Sequence, residues 1–157
     1  MRLRRCSFVL LALLVGASVA AAQEPEPIRY VISFPAPQTH YLEVEGLVPV
    51  GGQPHVELMM PVWTPGSYMV REFARHVEGF AARDGQGRSL QVEKTRKNRW
   101  RVSTGKATSV IIKYRLYAHE MSVRTNWVDD RFALINGAAT FITLVERGAR
   151  PHEVRLV

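Results

Sequence analysis

The sequence predicts an all-β domain, an antiparallel β-sandwich or saddle-like sheet with one short helix. Three observations carry that prediction. Apolar and polar residues alternate with a period of two over one stretch after another. Gly, Pro and Asn turn signals separate these stretches at spacings of roughly 8–12 residues. Helical spacing of apolar residues occurs once, so about eight to ten short strands and one or two helical turns are expected.

The first strand is read from Ile28, Tyr30, Ile32 and Phe34 alternating with Arg29, Val31 and Ser33, and ended by Pro35 and Pro37. Leu42 and Val44 against Glu43 and Glu45 give a second strand over Tyr41 to Leu47, followed by a turn at Pro49 and Gly51-Gly52. Val56, Leu58 and Met60 head a third. That strand runs into Met60-Pro61-Val62-Trp63-Thr64-Pro65-Gly66-Ser67-Tyr68, where two prolines fix φ and Gly66 supplies freedom for positive φ. This stretch is a rigid corner flanked by Trp63 and Tyr68, whose large rings suit a core edge or a partner surface.

Beyond the corner, Met69, Val70, Phe73, Ala74 and Val77 fall at helical spacing, predicting helical turns near Val70 to Arg75 with Ser67 as a cap. A strand from about His76 to Arg83 follows. Asp84-Gly85-Gln86-Gly87 is a strong hairpin signal, with Leu90 and Val92 heading the returning strand. Lys97-Asn98 reads as a second tight turn before Arg99-Trp100-Arg101-Val102, with Trp100 and Val102 inward. After a turn at Gly105, Val110, Ile112, Tyr114 and Leu116 make the clearest strand of the chain. A strand at Phe132 to Ile135, a turn at Asn136-Gly137 and a strand at Phe141 to Val145 complete the series. His152 to Val157 begins a further alternating strand that the chain's last residue interrupts, which predicts a β-domain continuing past Val157.

Residues 1–22 read as a signal peptide: Arg2, Arg4 and Arg5 precede an apolar run from Phe8 to Val15, and Ala20-Ala21-Ala22 offers a cleavage site. Residues 23–157 are then one exported domain, periplasmic or extracellular, with membrane contact only through an uncleaved leader. Setting the three leader arginines aside lowers the formal net charge of the 157-residue chain from +7 to +4. So small an excess argues solubility and no nucleic-acid partner. The single cysteine, Cys6, lies in the leader, so a disulfide framework, a catalytic cysteine and a cysteine zinc site are excluded together.

Catalytic patterns fail on inspection. His119-Glu120-Met121-Ser122-Val123 has Val123 where the helical zinc motif needs its second histidine, and on a strand residues four apart are separated by about 13 Å. His40, His55, His76 and His152 fall on different elements, and Glu72 with His76 supplies only two ligands. Pro65 and Met69 stand where a nucleophile elbow around Ser67 requires glycines, and Leu90 replaces the third glycine of a dinucleotide loop. Asp129-Asp130 reads as a solvated loop pair rather than an acid–base couple. The basic run from Lys94 to Arg101 reads as edge-protecting charge on a hairpin.

Four stretches together resemble the N-terminal domain of the glycyl aminopeptidase family, exported zinc metallopeptidases that carry a PDZ domain. They are Tyr30 to Phe34 with Pro35 and His40, the block Pro61 to Tyr68 followed by Arg71-Glu72-Phe73-Ala74, the hairpin with Trp100, and Phe132 to Gly137 with Phe141. The resemblance implies an all-β domain packed against a thermolysin-like catalytic domain, with a PDZ domain beyond it. Zinc is expected only in that catalytic domain and no cofactor in this chain, so no catalytic or metal residue is assigned here. Trp63, Pro65, Gly66, Tyr68, Asn136 and Gly137 are the candidate contacts with the catalytic domain or the substrate end, where a peptide substrate would lie. The alternative is a stand-alone exported β-sandwich that binds a peptide, glycan or protein through Trp63, Trp100 and Trp127.

Overall fold

The computed structural model describes residues 25–145 and 150–157. The leader expected at 1–22 lies outside them. Among the described residues the chain forms eleven strands: β1 (Ile28–Ser33), β2 (Tyr41–Pro49), β3 (His55–Met59), β4 (Val77–Asp84), β5 (Val92–Arg96), β6 (Arg99–Ser103), β7 (Ser109–Tyr117), β8 (Trp127–Val128), β9 (Ala133–Leu134), β10 (Thr143–Leu144) and β11 (His152–Leu156). They make a five-stranded sheet in the order β11-β1-β2-β7-β4, a four-stranded sheet in the order β10-β3-β6-β5, and the small ribbon β8-β9.

The period-2 alternation of β1, β2 and β7 sorts their side chains between a buried and an outer face. Ile28, Tyr30 and Ile32 of β1, Leu42, Val44 and Val48 of β2, and Val110, Ile112, Tyr114 and Leu116 of β7 all point into one core and are essentially fully buried. Facing them from the second sheet are Val56, Leu58, Trp100, Val102 and Leu144, which join the same cluster. Two apolar sheet faces closed over each other form the β-sandwich. On the outer face of the first sheet, the polar half of the alternation forms cross-strand ion pairs, Glu45 with Arg83 at 2.9 Å and Glu78 with Arg115 at 2.6 Å.

Gly46 of β2 sits in register between Tyr30 of β1 and Ile112 of β7. A Cβ there would stand 3.1 Å from both the Tyr30 ring and Ile112 Cγ1, so the missing side chain is what lets the tyrosine ring lie across the sheet.

Several expectations change on contact with the structure. The sheet is not purely antiparallel: β11 pairs parallel with β1, Ile28 opposite His152 and Ile32 opposite Leu156. Nearly the whole chain separates those two strands, which supplies the long connection that parallel pairing demands. The helix expected near Val70 to Arg75 is a four-residue 3-10 turn, Phe73–His76, without a side-chain cap. Met69 and Val70 stay exposed, only Phe73 and Ala74 reach the core, and β4 starts immediately at Val77, leaving no room for an α-helix.

At Asp84 to Gly87 the turn forms as expected, with Gly87 at φ +80° and the Asp84 carboxylate accepting from the backbone N–H groups of Gln86 and Arg88. The returning chain pairs with β4 only briefly, Arg83 with Ser89, and then crosses to the other sheet as β5. The hairpin is thus a corner between sheets. The strand read over Phe132 to Ile135 shrinks to Ala133–Leu134, exposed and paired with β8 rather than with the core sheets.

Candidate functional site

Residues 60–71 form a loop fixed at both ends. Asn98, in the β5–β6 turn, accepts the Met60 backbone N–H on its carbonyl at 3.0 Å and donates its side-chain amide back to the Met60 carbonyl at 2.9 Å. At the far end the Arg71 N–H donates to the Val62 carbonyl at 2.6 Å. Within this frame Thr64-Pro65-Gly66-Ser67 makes a tight turn, Ser67 N–H to Thr64 carbonyl at 3.1 Å, with Gly66 at φ +80°. Proline followed by a positive-φ glycine is the signature of a type II turn, so the sequence dictates this bend.

Met60 anchors the start of the loop in the core and Thr64 and Ser67 are buried, while its other large side chains face outward. Trp63 is 52% exposed and Tyr68 is fully exposed at 101%, with Met69 and Val70 also in solvent. The rings therefore do not plug a core edge, the first of the two places the sequence offered for them.

The second loop is built on a buried asparagine. Asn126 Oδ1 accepts the Asn136 backbone N–H at 2.7 Å, and Asn126 Nδ2 donates to the Ala139 carbonyl at 3.2 Å and to Thr140 Oγ1 at 3.0 Å. Asn136 caps the 3-10 turn Gly137–Ala139 by accepting from Ala138 N–H, and its own amide donates to the Val123 carbonyl at 3.0 Å. Two tyrosines of the core fasten the same loop from below. The Tyr114 hydroxyl donates to the Thr140 carbonyl at 2.8 Å and accepts from Ile142 N–H, and the Tyr30 hydroxyl donates to the Ile142 carbonyl at 2.8 Å. Burial pushes both phenols well above the ordinary tyrosine range, keeping them protonated donors.

The two loops meet. Pro65 and Gly66 of the first and Asn136 and Ala138 of the second line one cleft of about 430 Å³, closed on its third side by Val123 and Arg124. Of the six residues singled out in the sequence, Pro65, Gly66 and Asn136 come together in this cleft; Trp63, Tyr68 and Gly137 are not among its walls. Met69 and Val70 line a second cleft of about 240 Å³ with Glu120 and Thr125, so both clefts lie on the face where the 60–71 loop meets the 119–125 segment.

Next to this face the histidines are less scattered than the sequence suggests. His40 and His119 stack with ring centroids 3.7 Å apart, and Trp127 lies 4.7 Å from His119. His40 donates from Nδ1 to the Val128 carbonyl at 2.7 Å, because a carbonyl can only accept. Glu120 pairs with Arg75 at 3.7 Å, and His76 accepts from Arg75 Nε at 3.0 Å. Burial first, and the Arg75 charge second, hold His76 below the ordinary histidine range.

Among the described residues no three His, Cys, Asp or Glu side chains are grouped to hold a metal ion. Asp129, half of the one carboxylate pair, accepts from Phe132 N–H, Arg131 N–H and Trp127 Nε1. These donors hold its carboxyl below the usual range and make it a loop anchor.

Asn126 and the His40–His119 stack escaped the sequence reading. Tyr114 carried a signal: a tyrosine among Val, Ile and Leu on the inward face of a strand needs a partner for its hydroxyl. Asn126 carried none, standing in a stretch without periodicity.

Comparison with known proteins adds three findings. The model of the peptidase M61 N-terminal domain family matches residues 29–157. A crystal structure described as an aminopeptidase N family protein from Idiomarina loihiensis is similar at a TM-score of 0.76 and 30% identity, over 83% of this chain and 22% of that one. No curated protein matches the sequence.

Proposed function

The chain belongs to the peptidase M61 N-terminal domain family, and on that premise we propose that it is a non-catalytic accessory domain of an exported aminopeptidase-like zinc metallopeptidase. In this reading the 60–71 loop and the Asn136 turn face a catalytic domain carried by a longer polypeptide. Together they shape the end of the cleft where a peptide substrate enters. Zinc and the hydrolytic groups belong to that catalytic domain, and a PDZ domain lies beyond it. Export rests on residues 1–22.

One observation carries the proposal. Two loops far apart in sequence, each held by its own hydrogen bonds, line one cleft between Pro65–Gly66 and Asn136–Ala138, and Tyr68, Met69, Val70 and Val123 of these segments stand in solvent. A rigid loop with its apolar side chains outward suits a surface that another body covers. The chain spans 22% of the similar aminopeptidase N family structure, which leaves ample polypeptide there to supply such a body.

The test is Trp63→Ala and Tyr68→Ala in the full-length peptidase, with kcat/KM measured over a panel of aminoacyl substrates. A fall of about tenfold with normal folding supports the reading. Unchanged kcat/KM for every substrate removes the loop from function and favours a stand-alone binding module.

A further inference from the structure

Between the 70–75 segment and the β5–β6 hairpin, beside the face proposed to be covered and sharing Val70 with it, lies a cleft of about 600 Å³. Val62, Val70 and Ala74 give it an apolar floor. Around that floor stand Arg71, Arg75, Lys94, Arg96 and Lys97, with Glu72 as the one carboxylate. The cations arrive from two separate stretches of chain, so protection of the β5 edge accounts for Lys94 and Arg96 but not for Arg71 and Arg75.

Three of the five are already engaged. Lys97 pairs with Glu72 at 2.6 Å, Arg75 with Glu120 at 3.7 Å, and Lys94 lies 5.2 Å over the Trp100 ring. The guanidinium groups of Arg71 and Arg96 make no ion pair among the described residues, and Arg71 Nε is buried without a hydrogen-bond partner. A guanidinium N–H withdrawn from water and left unbonded is costly, and an incoming carboxylate relieves that cost with a charge-assisted bond.

We propose that this cleft binds an acidic peptide segment, its carboxylates on Arg71 and Arg96 and an apolar side chain between them on the Val62–Val70–Ala74 floor. The occupant is a peptide because the free charges are two and flank an apolar surface. A uniformly charged polyanion would leave that floor uncovered and gain little from it. The inference does not depend on the cleft between Pro65 and Asn136.

Calorimetric titration of the full chain with the peptide Ac-Glu-Leu-Glu-Leu-Glu-NH2 tests it, with the glutamine counterpart Ac-Gln-Leu-Gln-Leu-Gln-NH2 as control. Saturable binding of the acidic peptide is expected, weakened by about tenfold in Arg71→Gln and in Arg96→Gln. Near-ultraviolet circular dichroism of the tryptophans checks that each variant is folded. Should Arg71→Gln unfold, the exposed Arg96→Gln decides alone. Equal affinity for the glutamine peptide, or no loss in the folded variants, overturns the proposal. Tighter binding of a charge-matched sulfated oligosaccharide than of the acidic peptide also overturns it.

Discussion

Asn126, buried at 6% exposure, accepts the backbone N–H of Asn136 at 2.7 Å and so holds in place a residue ten positions further along the chain. The same amide reaches Ala139 and Thr140, so one side chain organises the whole Asn136 turn. Asn126→Ala leaves the Asn136 N–H and the Ala139 carbonyl without these partners. A loss of about 2–3 kcal/mol in urea unfolding is expected. A change within about 0.5 kcal/mol would show that the turn holds without it.

Tyr114 gives a milder version of the same test. Its hydroxyl both donates to Thr140 and accepts from Ile142, and phenylalanine keeps the ring while removing both bonds. Tyr114→Phe is expected to cost about 1–3 kcal/mol, with amide exchange at Ile142 accelerating more than at Ile112 of the same core.

How much of this was legible in the sequence follows from what each element rests on. The strands of the two main sheets rest on alternation, a local pattern, and Val110 to Leu116 could be placed inward without any partner in view. The corner at Pro65-Gly66 was equally legible because its turn chemistry is carried by two adjacent residues. What was not legible depends on distant pairings. The crossing of the chain between sheets after Asp84, the parallel union of β1 and β11, and the meeting of Pro65 with Asn136 are decided by the packing of the sandwich. The helix expected near Val70 failed for a related reason: of the apolar residues at helical spacing there, Phe73 and Ala74 reach the core but Met69 and Val70 stay exposed and bury nothing.

Gly46 tests the packing of the first sheet. Alanine there places a methyl group 3.1 Å from the Tyr30 ring and from Ile112, both fully buried, so each must give by a few tenths of an ångström within a packed core. Gly46→Ala is expected to cost about 1–3 kcal/mol. Because Tyr30 also anchors Ile142, loosening of the 136–142 loop should accompany it, read as faster amide exchange there.

Acid should destabilise the fold in two stages. His76 and His152 both have folded pKa values lowered by burial, so the unfolded chain takes up their protons first. Their contribution is present above the unfolded histidine pKa and is lost as pH falls through and below about 6.5. The carboxyls of Asp129, Glu57 and Glu78 are lowered by donors, from Phe132, Thr95 and Tyr41 foremost, and their contribution disappears as pH falls below about 4. The urea midpoint should therefore decline steadily from pH 7 to pH 3. His76→Gln should flatten the upper stage and Asp129→Asn the lower; a midpoint rising on acidification would contradict these assignments.

The most direct measurement is amide hydrogen exchange on this chain alone and on the same residues within the full-length peptidase. If the 60–71 loop, the 119–125 segment and the Asn136 turn face a catalytic domain, their amides should exchange markedly more slowly in the full-length protein, while the outer face of β2 and β7 is unchanged. Equal exchange of all three segments in both settings would contradict the proposal that this face is covered.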